Sequence, residues 1–179
     1  MKILRNELKN PLNIRTEMGF PVEGVEFIDI TPLIIQKETL QEITDKFVDF
    51  LKKKKIDYII APEARGFLFG ACIAQKLGVG IVPVRKKGKL PPTTVEKELE
   101  YVKEYGKDIL ELPKLVNESY KGKNCYIVDD IYATGNTLEA IKKAIKELGG
   151  NVVGEGVVMN IKELNNNKDL FSLIDINED

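Results

Sequence analysis

Residues 125–138 read C-Y-I-V-D-D-I-Y-A-T-G-N-T-L, an apolar run closed by two acids and a turn of small residues. Tyr126, Ile127 and Val128 have the composition of a short buried strand, and Asp129 and Asp130 end it. Ala133-Thr134-Gly135-Asn136-Thr137 follows as a turn, and an amphipathic helix begins there. Such an order gathers backbone N–H groups, hydroxyls and the positive end of a helix around one point, where an anion such as phosphate is stabilised. The acids before the turn add acceptors for sugar hydroxyls, or oxygen ligands for a hydrated Mg²⁺. On its own the stretch also fits an ordinary strand-to-helix turn with two solvated acids, so the flanking sequence must decide.

Reading outward, strands and helices alternate. The spacing predicts a helix over 39–55, opened by a Thr39/Glu42 capping box, with Leu40, Ile43, Phe47 and Leu51 on one face. The lysine run 52–55 then sits at its C-terminus, where cations complement the dipole. A strand over 56–61, a turn and a helix over 67–77 follow, then glycines and a strand over 81–85. The helix over 136–148 carries Leu138, Ile141, Ile145 and Leu148 on one stripe, with Asn136 and Glu139 able to cap its start. Further strands are expected over 152–159 and 170–176. Alternation with short connections predicts an α/β fold with a mainly parallel central sheet flanked by helices. Residues 86–102 break the rhythm as a charged, exposed excursion before the strand-like ending at 104–112, and a segment of that kind often serves as a mobile lid.

The 179 residues suit one domain spanning 1–179, and the balance of 27 basic and 28 acidic residues gives no global pull toward nucleic acid or membrane. No apolar run reaches the length of a membrane span. Cys72 and Cys125 both look core-bound, which predicts reduced thiols in a cytoplasmic protein. The chain has no histidine. That excludes Ser-His-Asp and Cys-His hydrolases, His-ligated zinc and histidine general bases, and leaves proton chemistry to carboxylates, lysines, tyrosines or the substrate.

Two cationic clusters fall at strand ends. Arg65 sits in P-E-A-R-G-F beside Gly66, which allows a close backbone approach, and Arg85-Lys86-Lys87-Gly88-Lys89 ends the next strand. Ligands of open parallel sheets bind at the carboxyl ends of the strands. Two basic clusters and a phosphate turn along that edge suit a ligand with phosphates at both ends.

These motifs resemble those of the type I phosphoribosyltransferases. The run of hydrophobic residue, D-D-x-x-x-T-G-x-T at 128–137 is similar to that family's phosphoribosyl diphosphate (PRPP) signature. The unit Glu63 to Gly70, the run Arg85 to Pro91, the stretch Glu104 to Glu111 and the segment Gly24 to Pro32 resemble, in order, motifs of its adenine-using branch. The resemblance implies a homodimeric, Mg²⁺-dependent enzyme that takes adenine and PRPP to AMP and diphosphate, with no nucleic-acid or membrane partner. It implies a small hood with the base pocket over 1–35 and a mobile lid over 86–108. By the same resemblance Arg65, Lys86 and Lys89 meet the diphosphate, Ala64 is a further substrate-binding residue, and Asp129 and Asp130 meet the ribose hydroxyls, partly through Mg²⁺. Ala133, Thr134, Gly135, Asn136 and Thr137 wrap the 5′-phosphate. Glu26, Phe27 and Ile28 form the base pocket, and Glu104 and Tyr105 close over the centre as catalytic residues with Arg65.

The chain departs from the family pattern at four places. Asn136 replaces a second glycine, Ile28 replaces a basic residue, Met159-Asn160 replaces an apolar residue followed by glutamate, and the lid is longer around 96–100. Ile28 and Met159-Asn160 lie toward the nucleobase side, which leaves a hypoxanthine or guanine enzyme as the alternative, or a PRPP-binding regulator without catalysis.

Overall fold

The structure is a computed structural model that describes residues 1–20, 23–24, 26–103 and 106–177. In chain order the strands and helices are β1 (Lys2–Asn6), β2 (Arg15–Met18), β3 (Glu26–Asp29), α1 (Thr31–Ile35), α2 (Lys37–Leu51), β4 (Tyr58–Pro62), α3 (Arg65–Leu77) and β5 (Gly80–Lys86). They continue with β6 (Val95–Lys103), β7 (Gly106–Pro113), β8 (Asn124–Tyr132), α4 (Asn136–Glu147), β9 (Asn151–Ile161) and β10 (Phe171–Asn177).

One eight-stranded sheet has the order β1-β10-β9-β8-β4-β5-β7-β6, and β2 and β3 form a separate two-stranded sheet. The neighbours from β10 to β5 pair in parallel, and the edge pairings β1–β10, β5–β7 and β7–β6 are antiparallel. Parallel central strands must be covered on both faces. Ile43, Phe47 and Leu51 of α2, with Phe69 and Ile73 of α3, are fully buried in the core on one face. Leu138, Ile141, Ala144 and Ile145 of α4 fill the core on the other. Each large apolar side chain so buried contributes about 1.5–3 kcal/mol.

The connections fix where a site can form. β4 leads through α3 to β5 on one side, and β8 leads through α4 to β9 on the other, while β4 and β8 are themselves neighbours. The chain therefore leaves these two strands in opposite directions, onto opposite faces, and a crevice opens at their carboxyl ends. Glu63 to Arg65 and the 129–137 stretch meet there.

Several local expectations are corrected. The second helix starts at Lys37 and ends at Leu51, and the Thr39/Glu42 capping box does not form. Thr39 is buried inside the helix and donates to Gln36 Oε1 (3.2 Å), while Glu42 accepts the Lys9 and Asn10 backbone N–H groups (2.7 and 3.1 Å). Glu42 thus ties the N-terminal segment to α2. The third helix begins at Arg65, two residues earlier than the spacing suggests. The excursion after β5 is largely structured, because β6 pairs with β7 from Val95↔Pro113 to Lys103↔Gly106 and extends the sheet. Its Leu99 and Tyr101 are buried, while Glu98 and Glu100, which alternate with them, are exposed, so alternation rather than a helical stripe was its signal. Cys125 is buried but Cys72 is partly exposed.

Tyr126 is a buried anomaly. Its ring lies in the core with Phe47, and its hydroxyl has no hydrogen-bond partner among the described residues. Burial pushes this phenol above its ordinary pKa. An unpaired buried hydroxyl is costly, so Tyr126→Phe is expected to leave stability unchanged or raise it by about 1 kcal/mol. Urea unfolding measures this, and a loss of stability would reveal a partner for the hydroxyl.

Candidate active site

The crevice is built around an ion pair. α3 begins at Arg65, directly after a cis Glu63–Ala64 peptide, and Arg65 Nε lies 2.5 Å from Asp130 Oδ2. The Arg65 side chain is 39% exposed while that of Asp130 is 8% exposed, so the cation faces outward and the carboxylate lies beneath it. The contact is an ion pair without an aligned hydrogen bond, which leaves the buried Asp130 Oδ2 with acceptor capacity to spare. Asp129 Oδ1 accepts the Asp130 backbone N–H (2.8 Å). Burial, and then the charge of Asp130, push the Asp129 carboxyl well above the usual carboxylate range, and Arg65 offsets this only in part. Gly66 makes the packing possible: a Cβ there would stand 2.8 Å from Asp129 Oδ1 and 3.0 Å from Pro62 Cδ.

The turn after β8 has the expected form with a different division of labour. Gly135 takes the left-handed conformation (φ +82°), and a Cβ on it would run into the Tyr132 ring. Glu139 donates its N–H to the Gly135 carbonyl (3.0 Å), so Gly135 is the N-cap and Asn136 is already helical. Asn136 does not cap the helix. It needs no left-handed backbone, which is why an asparagine fits where the family pattern has glycine. Its side-chain amide instead donates to the Val102 carbonyl near the end of β6 (3.0 Å), linking the β6–β7 hairpin to the turn. Thr134 is exposed and Thr137 half-buried, and the N–H groups of the first helical turn have no intrahelical acceptor. The turn thus sets hydroxyl-bearing residues beside the N-terminus of a helix, an arrangement that suits an anion.

The second cationic pole is organised from below by carboxylates. Glu63 accepts the Lys86 backbone N–H (2.9 Å) and Arg85 Nε (3.0 Å). That backbone bond, with Arg85 beside it, holds the Glu63 carboxyl below the usual range. Buried Glu111 accepts the backbone N–H of Gly88 (3.0 Å) and of Leu90 (3.4 Å). Arg85 is thereby committed to structure, and Lys86 and Lys89 remain exposed. Ala64, also exposed, lies between this turn's anchor and Arg65.

The two-stranded hood meets the site through aromatic contacts. Phe27 on β3 packs edge-on against Phe20 (5.1 Å between centroids), and the Arg65 guanidinium lies 5.6 Å above the Phe27 ring. Glu26 is half-buried, and the Ile28 side chain is buried in the core. Met159 is likewise fully buried core, and buried Asn160 accepts from Asn165 Nδ2 (2.9 Å). Ile28 and Met159 are thus core residues, and Asn160 belongs to a buried polar contact. Glu104 and Tyr105 lie outside the described residues. Sequence reading passed over Glu63 and Glu111 as organisers of the basic turn, and over Tyr132, Asn165 and Asn167 beneath the phosphate turn. The only signal for the asparagines was their clustering in a turn-forming triplet at 165–167.

Two acids, an arginine, a glycine turn ahead of a helix and a basic turn are gathered at the switch point of a parallel sheet. The chain belongs to the phosphoribosyl transferase family, whose domain matches residues 33–176. It is 50% identical over 153 residues to the adenine phosphoribosyltransferase of Clostridium acetobutylicum, covering 86% of this chain and 87% of that one. The crystal structure of adenine phosphoribosyltransferase from Thermoanaerobacter pseudethanolicus superposes with a TM-score of 0.82 at 40% identity, over 91% of this chain and 95% of that one. The Saccharomyces cerevisiae adenine phosphoribosyltransferase, solved with adenine and an imino-altritol bisphosphate, gives 0.80 at 39% identity, over 90% and 94%. Among the described residues no helix is long and apolar enough to cross a membrane.

Proposed function

We propose that this chain transfers the 5-phosphoribosyl group of PRPP to adenine, giving AMP and diphosphate in purine salvage. The observation that carries the reading is the Arg65–Asp130 pair at the switch point, with Asp129 beside it and the Gly135 turn beyond. The carboxylates accept the ribose hydroxyls, and the turn and the first N–H groups of α4 take the 5′-phosphate. Arg65, Lys86 and Lys89 take the diphosphate, with the exposed Ala64 at the edge of that site. Displacement at the anomeric carbon builds positive charge on the sugar ring and negative charge on the leaving group, and preorganised cations stabilise the latter. Phe27 packs against the purine, with Glu26 and the Ile28 backbone along its edge.

The donor set suits Mg²⁺: hard carboxylate oxygens, one of them buried with acceptor capacity to spare. Asp129 and Asp130 would hold the ion with PRPP oxygens and water, where it would neutralise diphosphate charge. Glu104 and Tyr105 are assigned to closure over the reacting centre, which excludes water from PRPP. The same reading places the enzyme in the cytoplasm as a homodimer, joined over the outer face of α3, where Leu68 is 47% exposed just past Arg65–Phe67.

Steady-state assay with PRPP, Mg²⁺ and each purine in turn tests this. Turnover is expected to be fastest on adenine. A preference for hypoxanthine or guanine would defeat the base assignment, and PRPP binding without base-dependent diphosphate release would favour a regulator.

A further inference from the structure

Beneath the phosphate turn lies a polar network with no place in the chemistry described so far. It belongs to the loop between β9 and β10. Asn165 Nδ2 lies within hydrogen-bond distance of three acceptors: the Ala133 carbonyl (3.0 Å), Asn160 Oδ1 (2.9 Å) and the Ile161 carbonyl (2.9 Å). Its Oδ1 accepts the Asn167 backbone N–H (3.2 Å). Acceptors around one end and a donor at the other fix the orientation of the amide. Asn167 repeats the arrangement. Its Nδ2 donates to Glu155 Oε1 (2.6 Å) and to Tyr132 Oη (3.2 Å), and its Oδ1 accepts the Asp169 N–H (3.1 Å). Buried Glu155 also takes Lys142 Nζ of α4 (3.1 Å), so a charged pair anchors the network.

Both asparagines act on the turn. The Ala133–Thr134 peptide is trans and planar, so its C=O and N–H point in opposite directions. With the carbonyl held on Asn165, the Thr134 N–H is turned the other way. Asn167 holds the Tyr132 hydroxyl, and the Tyr132 ring closes the space under Gly135. A phosphate turn works best when its donors are set before the anion arrives, because no reorganisation then opposes binding.

We infer that Asn165 and Asn167 are positioning residues for the ribose-5-phosphate half of the site, holding the Thr134 N–H toward the 5′-phosphate without touching it. The inference rests on the PRPP reading above, and it goes beyond that reading by assigning a role to a loop that approaches the turn from behind. It requires that the loop act on one end of the substrate only.

The test compares two anions on the full chain. In Asn165→Leu, of similar size but without a donor, Kd for ribose 5-phosphate and KM for PRPP are expected to rise about 10- to 100-fold, the range for losing support of a charge-assisted hydrogen bond. Kd for inorganic diphosphate and KM for adenine should move less than about threefold, a shift worth well under 1 kcal/mol, with kcat falling less than the KM for PRPP rises. Tyr132→Phe, which removes only the hydroxyl, should show the same selectivity at about 3- to 10-fold. It carries the test if Asn165→Leu does not fold. Unchanged ribose 5-phosphate affinity in a folded variant, or parallel losses for both anions, overturns the inference. Wild-type protein that binds neither PRPP nor ribose 5-phosphate overturns the functional reading itself, and this inference with it; active wild type with insensitive variants overturns this inference alone.

Discussion

Arg65→Gln is expected to lower kcat/KM by about 10³-fold, the range for removing one preorganised donor from developing negative charge. The residue joins the acids at the end of β8 to the hood. Its guanidinium contacts Asp130, overlies Phe27 of the hood and projects from the first position of α3. The substitution also strips the buried Asp130 carboxylate of its counter-ion, and breaking one side of such a pair destabilises strongly when both partners are buried. Arg65 is 39% exposed, so solvent screens part of the pair and the expected loss is about 1–2 kcal/mol. The two effects separate in a double variant. Adding Asp130→Asn to Arg65→Gln should recover most of the stability in urea unfolding while transfer remains lost. Activity within tenfold of wild type in the single variant would remove Arg65 from the diphosphate site.

Asp129→Asn should part stability from function in the other direction. The folded protein holds this carboxyl well above its ordinary pKa, chiefly through burial and then through the adjacent Asp130. A carboxyl with a raised folded pKa binds more proton in the folded state than in the unfolded one. Its contribution to stability is then complete below the unfolded value and is lost as pH rises through the folded value. At neutral pH the free protein carries that loss. The amide removes the charge and keeps an oxygen to accept the Asp130 N–H. Thermal unfolding at neutral pH without ligand should shift up by about 2–4 °C, and its fall with rising pH should flatten. PRPP affinity should drop about 100-fold, because a charged acceptor for the ribose hydroxyls is gone. A variant less stable than wild type at neutral pH would show that the fold favours the ionised form.

How much of this was legible in the sequence depended on whether the determinants were local. The core helices and parallel strands were readable because burial imposes a period on contiguous residues, as in Leu138, Ile141 and Ile145. The turn at 133–137 was readable for the same reason: small residues, hydroxyls and a left-handed glycine follow one another. Helix caps misled because Thr39 and Asn136 have the right chemistry but other partners, Gln36 in one case and Val102 in the other. β7 was legible as a strand-like run, but its partner β6 was hidden by its charge, which masked the alternation of Leu99 and Tyr101. Glu63, Glu111, Asn165 and Asn167 could not be found by spacing. Each acts on a segment distant in sequence, and only the folded sheet shows which backbone groups they meet.

The hairpin leaves β6, nine residues long, as the outer strand of the large sheet, with alternate residues turning their backbone groups outward and the Val102 carbonyl already taken by Asn136. An edge of that length is a template on which a second molecule could add strand to strand and begin a fibre. Glu96, Glu98 and Glu100 recur at every second residue on its exposed face, and among the described residues Glu98 pairs with Lys87 and Glu100 with Lys107. Two such edges brought together would set rows of glutamates side by side, each directly opposed like pair costing about 0.2–1 kcal/mol. The acidity that disguised this strand as a loop therefore keeps the protein from aggregating through its own sheet.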